Sequence, residues 1–179
     1  MLKVQDCCLV IIDVQGKLAQ LMHDRDNLFK KIVVLIKAAK ILGIPVIWCQ
    51  QCPDALGPTI PRIAELLTGI EPINKADFNC GGQMQFNNSL KTLARKQILL
   101  CGIEAHICVY QTASGLLGKG CDVSVIADAV SSRTLENKQI ALERMRNDGV
   151  HISCVEMALF ELLATAEHPQ FKQIAALIK

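Results

Sequence analysis

The sequence predicts an α/β protein, a Rossmann-like three-layer α/β/α sandwich around a central, mostly parallel sheet of about six strands. Three observations predict it. Short continuous apolar runs recur along the chain, separated by helical stretches of about ten residues or more, the rhythm of parallel strands joined by crossovers. Several runs end on a polar residue, as strands do when their carboxyl ends open on a ligand site. Hydrophobic residues make up 51% of the 179 and the mean hydropathy is +0.30, enough to cover both faces of a sheet and leave apolar surface for a subunit interface.

In chain order, Cys7–Asp13 (CCLVIID) is a buried strand with Asp13 at its exit. Arg25–Leu42 repeats Leu28, Ile32, Leu35, Ile36, Ala39 and Leu42 at three- and four-residue spacing and stops at Gly43 before Pro45, the pattern of an amphipathic helix with a glycine end. Pro45–Cys49 is a second strand. In QQCPDALGPTIP, residues 50–61, Pro53, Gly57, Pro58 and Pro61 predict irregular chain up to a short helix at Arg62–Leu67. Ile73–Asp77 reads as a brief strand end carrying Lys75, and Asn79–Gln83, with Gly81 and Gly82, as loop. A helix over Asn87–Arg95 would be capped by Asn87 or Asn88. Gln97–Cys101 is a strand and His106–Leu117 a helix, followed by the strand Asp122–Ala127 with Asp128 at its end. Leu135–Asn147 is helical, Gly149–Ser153 is the last strand, and two helices, Val155–Ala166 and Gln170–Ile178, flank Pro169. Residues 1–179 are expected to form one domain, without repeats.

Composition excludes several function classes. The net charge of +2 comes from scattered Lys and Arg, and aromatic residues are 4% of the chain, so no basic, base-stacking track exists and nucleic acid is not an expected partner. No stretch approaches the ~18 consecutive apolar residues of a membrane span. The start, MLKVQDCC, lacks the features of a signal peptide, so a cytoplasmic location is expected. Nine cysteines, an odd number lying mostly in apolar runs, read as reduced buried thiols. The first strand leads into DVQGKLAQ, with neither a dinucleotide-binding glycine pattern nor a P-loop.

Chemistry concentrates in GIEAHICVYQTASGLLGKG, residues 102–120, where a strand ends, the chain bends, and Cys108 is delivered onto a helix. At a helix start a thiol is expected to ionise more readily than a free one. The plainer alternative is one more small apolar residue on a helix face. Asp13 is either a cap or a partly desolvated base. Lys75 is a solvated lysine unless Asp13 and Cys108 share its crevice. Asp128, also at a strand end, belongs to the same expected crevice. Cys49 and Cys52 form a C-x-x-C, but no second pair completes a zinc site and the following segment is loop, so coincidence is the better reading. Of the dispersed histidines 23, 106, 151 and 168, only His106 lies near Cys108, as a candidate acid.

Six stretches together resemble the isochorismatase-like cysteine hydrolases, specifically their small, metal-free branch. They are DVQ at 13–15, GPTIP at 57–61, NKADF at 74–78, GIEAHICVYQTA at 102–113, DAVSSR at 128–133 and LFELLATAEHPQFKQI at 159–174. The resemblance implies Cys108 as nucleophile, Asp13 as base and Lys75 as the cation of a triad. It implies a cis peptide between Ile103 and Glu104, which aims the backbone N–H groups of Glu104 and Cys108 at one spot, an oxyanion hole. Gln15, Phe78 and His106 become substrate-pocket candidates, with Phe78 as the aromatic wall because Leu18 stands where an aromatic residue is frequent. The stretch CQQCPDALGP has no histidine, unlike the metal-holding loop of nicotinamidases, so neither metal nor cofactor is expected. The cysteine itself argues against isochorismate as substrate. The implied activity is hydrolysis of a C–N bond in a small molecule through a covalent acyl-enzyme, in a homo-oligomer, dimer or higher. The alternative is an oligomeric scaffold that keeps the fold with little turnover.

Overall fold

The structure is a computed structural model describing all residues, Met1–Lys179. Six strands, β1 (Cys7–Ile12), β2 (Val46–Gln51), β3 (Ile73–Lys75), β4 (Gln97–Ile103), β5 (Asp122–Ser131) and β6 (His151–Ser153), form one sheet in the order β3-β2-β1-β4-β5-β6. Every pairing is parallel. The helices are α1 (Gly16–Gln20), α2 (Arg25–Leu42), α3 (Pro53–Leu56), α4 (Pro61–Ala64), α5 (Met84–Leu93), α6 (Tyr110–Leu117), α7 (Leu135–Asn147), α8 (Val155–Leu163) and α9 (Phe171–Ile178).

Alternation along the central strands divides the core in two. Leu9 and Ile11 of β1, with Leu99, Cys101 and Ile103 of β4, pack against α2, α8 and α9. Cys8, Val10 and Ile12, with Ile98 and Leu100, pack against α5, α6 and α7. Because successive side chains of a strand point to opposite faces, a strand covered on both sides must be apolar throughout, and all six residues of β1 are buried. Each fully buried large apolar side chain contributes ~1.5–3 kcal/mol. On the α2 side that role falls to Leu28, Phe29, Ile32, Leu35 and Ile36. Gly43, at φ 68°, ends α2 in the left-handed conformation glycine adopts freely.

From β1 the chain winds outward to β2 and β3, then returns to β4 on the other side and winds outward again. Strand order therefore reverses between β1 and β4, where ligand sites of such sheets form. Gly102 lets the two strands close up there. Its φ is 121°, and a Cβ on it would lie 2.0 Å from the carbonyl oxygen of Ile12.

The structure departs from the sequence-based expectations at several boundaries. Residues 53–56 form a helical turn, α3, where irregular chain was expected, while the short helix expected at Arg62–Leu67 is present as α4, Pro61–Ala64, continued by a 3-10 turn at Glu65–Leu67. Pro53 and Pro61 stand in their first turns, where a missing N–H leaves no helical bond unmade. The turn α1 carried no periodicity long enough to predict it. α5 starts at Met84 after Gln83, because the Asn87 side chain donates to the Gly81 carbonyl instead of capping a helix. Cys80–Gly82 is a 3-10 turn, with Asn79 accepting the Gly81 N–H. β5 continues past Ala127 to Ser131 through a register shift, Leu100 pairing with Val125 and Gly102 with Val130. α8 stops at Leu163, since Ala164 has φ 59°.

Gly102→Ala is expected to destabilise the protein by about 3 kcal/mol or more, through a strained φ and a backbone collision at once. A urea melt checks this, and an unchanged midpoint would contradict it.

Candidate active site

The exits of β1, β3 and β4 bring Asp13, Lys75 and Cys108 together. Asp13 follows β1 with φ 53°, and its amide donates to the Cys49 carbonyl at 3.2 Å. Its carboxylate oxygen Oδ2 accepts from Lys75 Nζ at 2.6 Å, and the two side chains are 3% and 0% exposed. Lys75 Nζ also donates to Gln51 Oε1 at 2.6 Å and lies 3.3 and 3.4 Å from the carbonyls of Asp77 and Phe78. The other carboxylate oxygen, Oδ1, is buried without a hydrogen-bond partner of ordinary geometry. The buried Cys108 thiol adjoins this carboxylate.

Burial governs the protonation of the three groups. It raises the Asp13 pKa, and Lys75 opposes that shift. It acts against the Lys75 cation too, but the charge of Asp13 and its hydrogen bond outweigh burial and the ammonium is held above its usual value. Cys108 is pushed well up, first by burial and then by the Asp13 charge, with Lys75 opposing. The expectation that the helix start would ionise this thiol is therefore corrected. Cys108 lies in a π-helical turn, Ala105–Val109, ahead of α6, in the core and beside an anion. The turn's dipole does not overcome that desolvation, and the resting group is a neutral thiol.

The bend before the cysteine is held from the side. Ile103–Glu104 is a cis peptide. The Glu104 carboxylate, 5% exposed, accepts from the Arg133 amide at 3.0 Å and from Arg133 Nε at 3.2 Å. The Glu104 carbonyl takes the amides of Ile107 and Val109, while its own N–H donates to no other group of the chain.

Asp13, Gln51, Glu104 and Cys108 form one end of a cavity of about 150 Å³, and Leu18, Leu56, Phe78, Ile103 and Ile107 form its walls. A larger open groove of about 520 Å³ runs along Trp48, Ile73 and Met84 and contains none of these polar groups.

Phe78 is thus a wall, half-exposed, but two other pocket candidates are not. Gln15 is fully buried: its Nε2 donates to the carbonyls of Gln51 and Gly57, and its Oε1 accepts the Gln51 N–H. It clamps strand ends and leaves no group for a ligand. The His106 ring instead bonds Ser132 Oγ through Nδ1 at 2.9 Å. Asp128 lies within β5 and serves the α2 side, pairing with Lys31 at 3.1 Å and accepting the Val155 amide. Cys49 is buried against Cys80 while Cys52 is exposed, so the C-x-x-C is no pair. Gln51, Glu104 as a carboxylate and Arg133 are what sequence reasoning missed. Only polarity at a strand end marked Gln51, and nothing in the sequence joined 104 to 133. No three His, Cys, Asp or Glu side chains are grouped to hold a metal ion, and no helix is long and apolar enough to cross a membrane.

A six-stranded parallel sheet flanked by helices, with polar groups at its switch point, is the architecture of the isochorismatase-like hydrolases. The family model for the Isochorismatase domain matches residues 7–157, and the chain belongs to that family. Isochorismatase domain-containing protein 2 of Danio rerio is 36% identical over 99% of this chain and 89% of its own length. The structure titled MAR1 ribonuclease from Caenorhabditis elegans superposes with TM-score 0.93 at 32% identity, covering 99% of this chain and 91% of that one. YcaC of Escherichia coli, described as an octameric hydrolase of unknown specificity, has TM-score 0.93 at 22% identity, over 99% and 88% of the two chains.

Lys75→Met is expected to destabilise the protein by about 3–5 kcal/mol at pH 7, because it strands the Asp13 charge. Without Lys75 the carboxyl pKa rises further above its unfolded value of ~4, so the folded state binds the proton more tightly and stability returns as pH falls from 7. Asp13→Asn with Lys75→Met should lose much less. Urea melts of both variants over pH 5–7 check this, and equal losses would refute it.

Proposed function

We propose that this chain is a cysteine hydrolase that cleaves a C–N, amide-like bond of a small molecule, with Cys108 as nucleophile, Asp13 as general base and Lys75 as the cation that holds it. The observation that carries the reading is the divided use of one carboxylate: Oδ2 is engaged by Lys75 at 2.6 Å, Oδ1 is buried with no hydrogen-bond partner, and the Cys108 thiol adjoins the carboxylate. Because the thiol is neutral at rest, attack and proton transfer proceed together. Sγ bonds to the carbonyl carbon as its proton passes to Oδ1, and the carbonyl electron pair moves onto oxygen, within reach of the backbone N–H groups of Glu104 and Cys108. Collapse breaks the C–N bond, Asp13 gives its proton to the departing nitrogen, and a thioester remains on Cys108. Water, losing a proton to Asp13, attacks that thioester. The carboxylic acid leaves and the proton returns to sulfur. The cycle calls for no metal or cofactor.

In this reading the single domain of residues 1–179 works in the cytoplasm, in keeping with nine unpaired cysteines, and as a homo-oligomer. Exposed Leu21, Met84, Ile140, Met157 and Phe160 supply apolar surface for subunit contact. The name ribonuclease belongs to the nematode neighbour. Here a cavity of about 150 Å³ and the absence of a basic track favour a small molecule.

Cys108→Ala should lower kcat on small amides by about 10³-fold or more, and intact-mass spectrometry should show an acyl adduct on wild type alone. Equal turnover would overturn the mechanism and favour the scaffold reading. Light scattering at micromolar concentration should give a dimer or larger, and a monomer alone would reject the assembly.

A further inference from the structure

Resting on that hydrolase reading, we propose that the cavity selects a carboxamide whose acyl group is apolar, bears no negative charge and is no larger than about six carbon atoms, a short aliphatic chain or a single ring. The argument is a census of polar atoms. Lys75 Nζ is committed to Asp13, to Gln51 and, more loosely, to the carbonyls of Asp77 and Phe78, and its side chain is fully buried. The Gln51 amide group donates in turn to the Ala76 carbonyl at 2.6 Å. Oε2 of the Glu104 carboxylate is taken by Arg133, while Oε1 has no hydrogen-bond partner. What remains uncommitted is Oδ1 of Asp13, the Cys108 sulfur and the Glu104 N–H, which attend the reacting bond, and Oε1 of Glu104, an acceptor that carries negative charge. No uncommitted cation lines the cavity to meet a substrate carboxylate.

The walls, Leu18, Leu56, Phe78, Ile103 and Ile107, present carbon. An anionic acyl group entering there would give up its water without a counter-ion and would face the Asp13 and Glu104 carboxylates. Volume sets the upper bound. An apolar cavity of about 150 Å³ stays dry and accommodates benzene, and this one has about that volume, below the ~300 Å³ or more of ordinary ligand pockets.

The experiment measures kcat/KM for linear carboxamides from acetamide to decanamide, for benzamide, and for the charged amides succinamate and glycinamide. Each added methylene that fits should raise kcat/KM about fourfold, to a maximum near six acyl carbons, with a fall beyond. Succinamate should lie about 100-fold or more below butyramide and below glycinamide. Leu18→Ala should move the maximum two or three carbons further. Succinamate turned over as well as butyramide, or a rise continuing to decanamide, would overturn the proposal.

A second measurement needs no turnover. Alkylation of wild type by iodoacetamide and by iodoacetate, mapped by mass spectrometry, should show a neutral-to-anion rate ratio at Cys108 about tenfold or more above that at exposed Cys52. Equal ratios, or no reaction of Cys108 with either reagent, would also overturn it. Alkylation preference without hydrolysis of any amide would sink the hydrolase reading and leave the cavity's selectivity standing. Hydrolysis through Cys108 without preference would do the reverse.

Discussion

The ion pair between Asp13 and Lys75 sets the terms for the rest of the site. Two charges withdrawn from water are stable only where their remaining valences are met, and meeting them recruits three strands. β1 brings the carboxylate, β3 the ammonium, and β2, between them in the sheet, brings Gln51, whose pairing with Lys75 in the β2–β3 register places its side chain beside Nζ. The carbonyls of Asp77 and Phe78 complete the shell, which fixes the chain just after β3 and with it the aromatic wall. Packing and chemistry are therefore joined here: the short edge strand β3 carries both the buried Ile73 and the buried Lys75.

The same pair explains why a helix start fails to make Cys108 acidic. A partial positive charge from a turn's peptide dipoles is a modest effect at a surface, whereas burial beside a carboxylate acts on the full charge of a thiolate. The result is a thiol and carboxylate that exchange a proton only when a substrate gives the sulfur somewhere to put its electrons.

Much of this was legible in the sequence, for identifiable reasons. Continuous apolar runs predict a sheet covered on both faces, and the two core halves bear that pattern out, with Leu9 and Ile11 on one side and Val10 and Ile12 on the other. Asp13 and Lys75 stood out as polar residues closing apolar runs. The misreadings share a cause as well. Asp128 also closes an apolar run, but a register shift in β5 carries the strand three residues past it and turns it toward Lys31. Gln15 lies in a motif beside the base, yet its side chain serves backbone groups from 51 and 57. Glu104 with Arg133 joins residues 29 apart, and no local spacing announces such a contact. Periodicity reports which face a residue takes; it does not report which distant backbone groups will need a partner.

The Gln15 clamp has company. The amide of Gly16 donates to the Pro58 carbonyl, Gln15 bridges to Thr59, and that threonine hydroxyl accepts from both Trp48 and Gln50. Leu18 and Leu56, both walls of the cavity, hang from this one assembly, with the Gly16 backbone so close to the Leu56 carbonyl that a methyl group would not fit. Mechanically the two walls are a single leaf. Evolution or a designer can trade one wall side chain for another at little expense to the frame, but lengthening either segment would tear several fastenings at once. In this chain, a change in what is bound is therefore accommodated by residue choice at these positions and not by insertion.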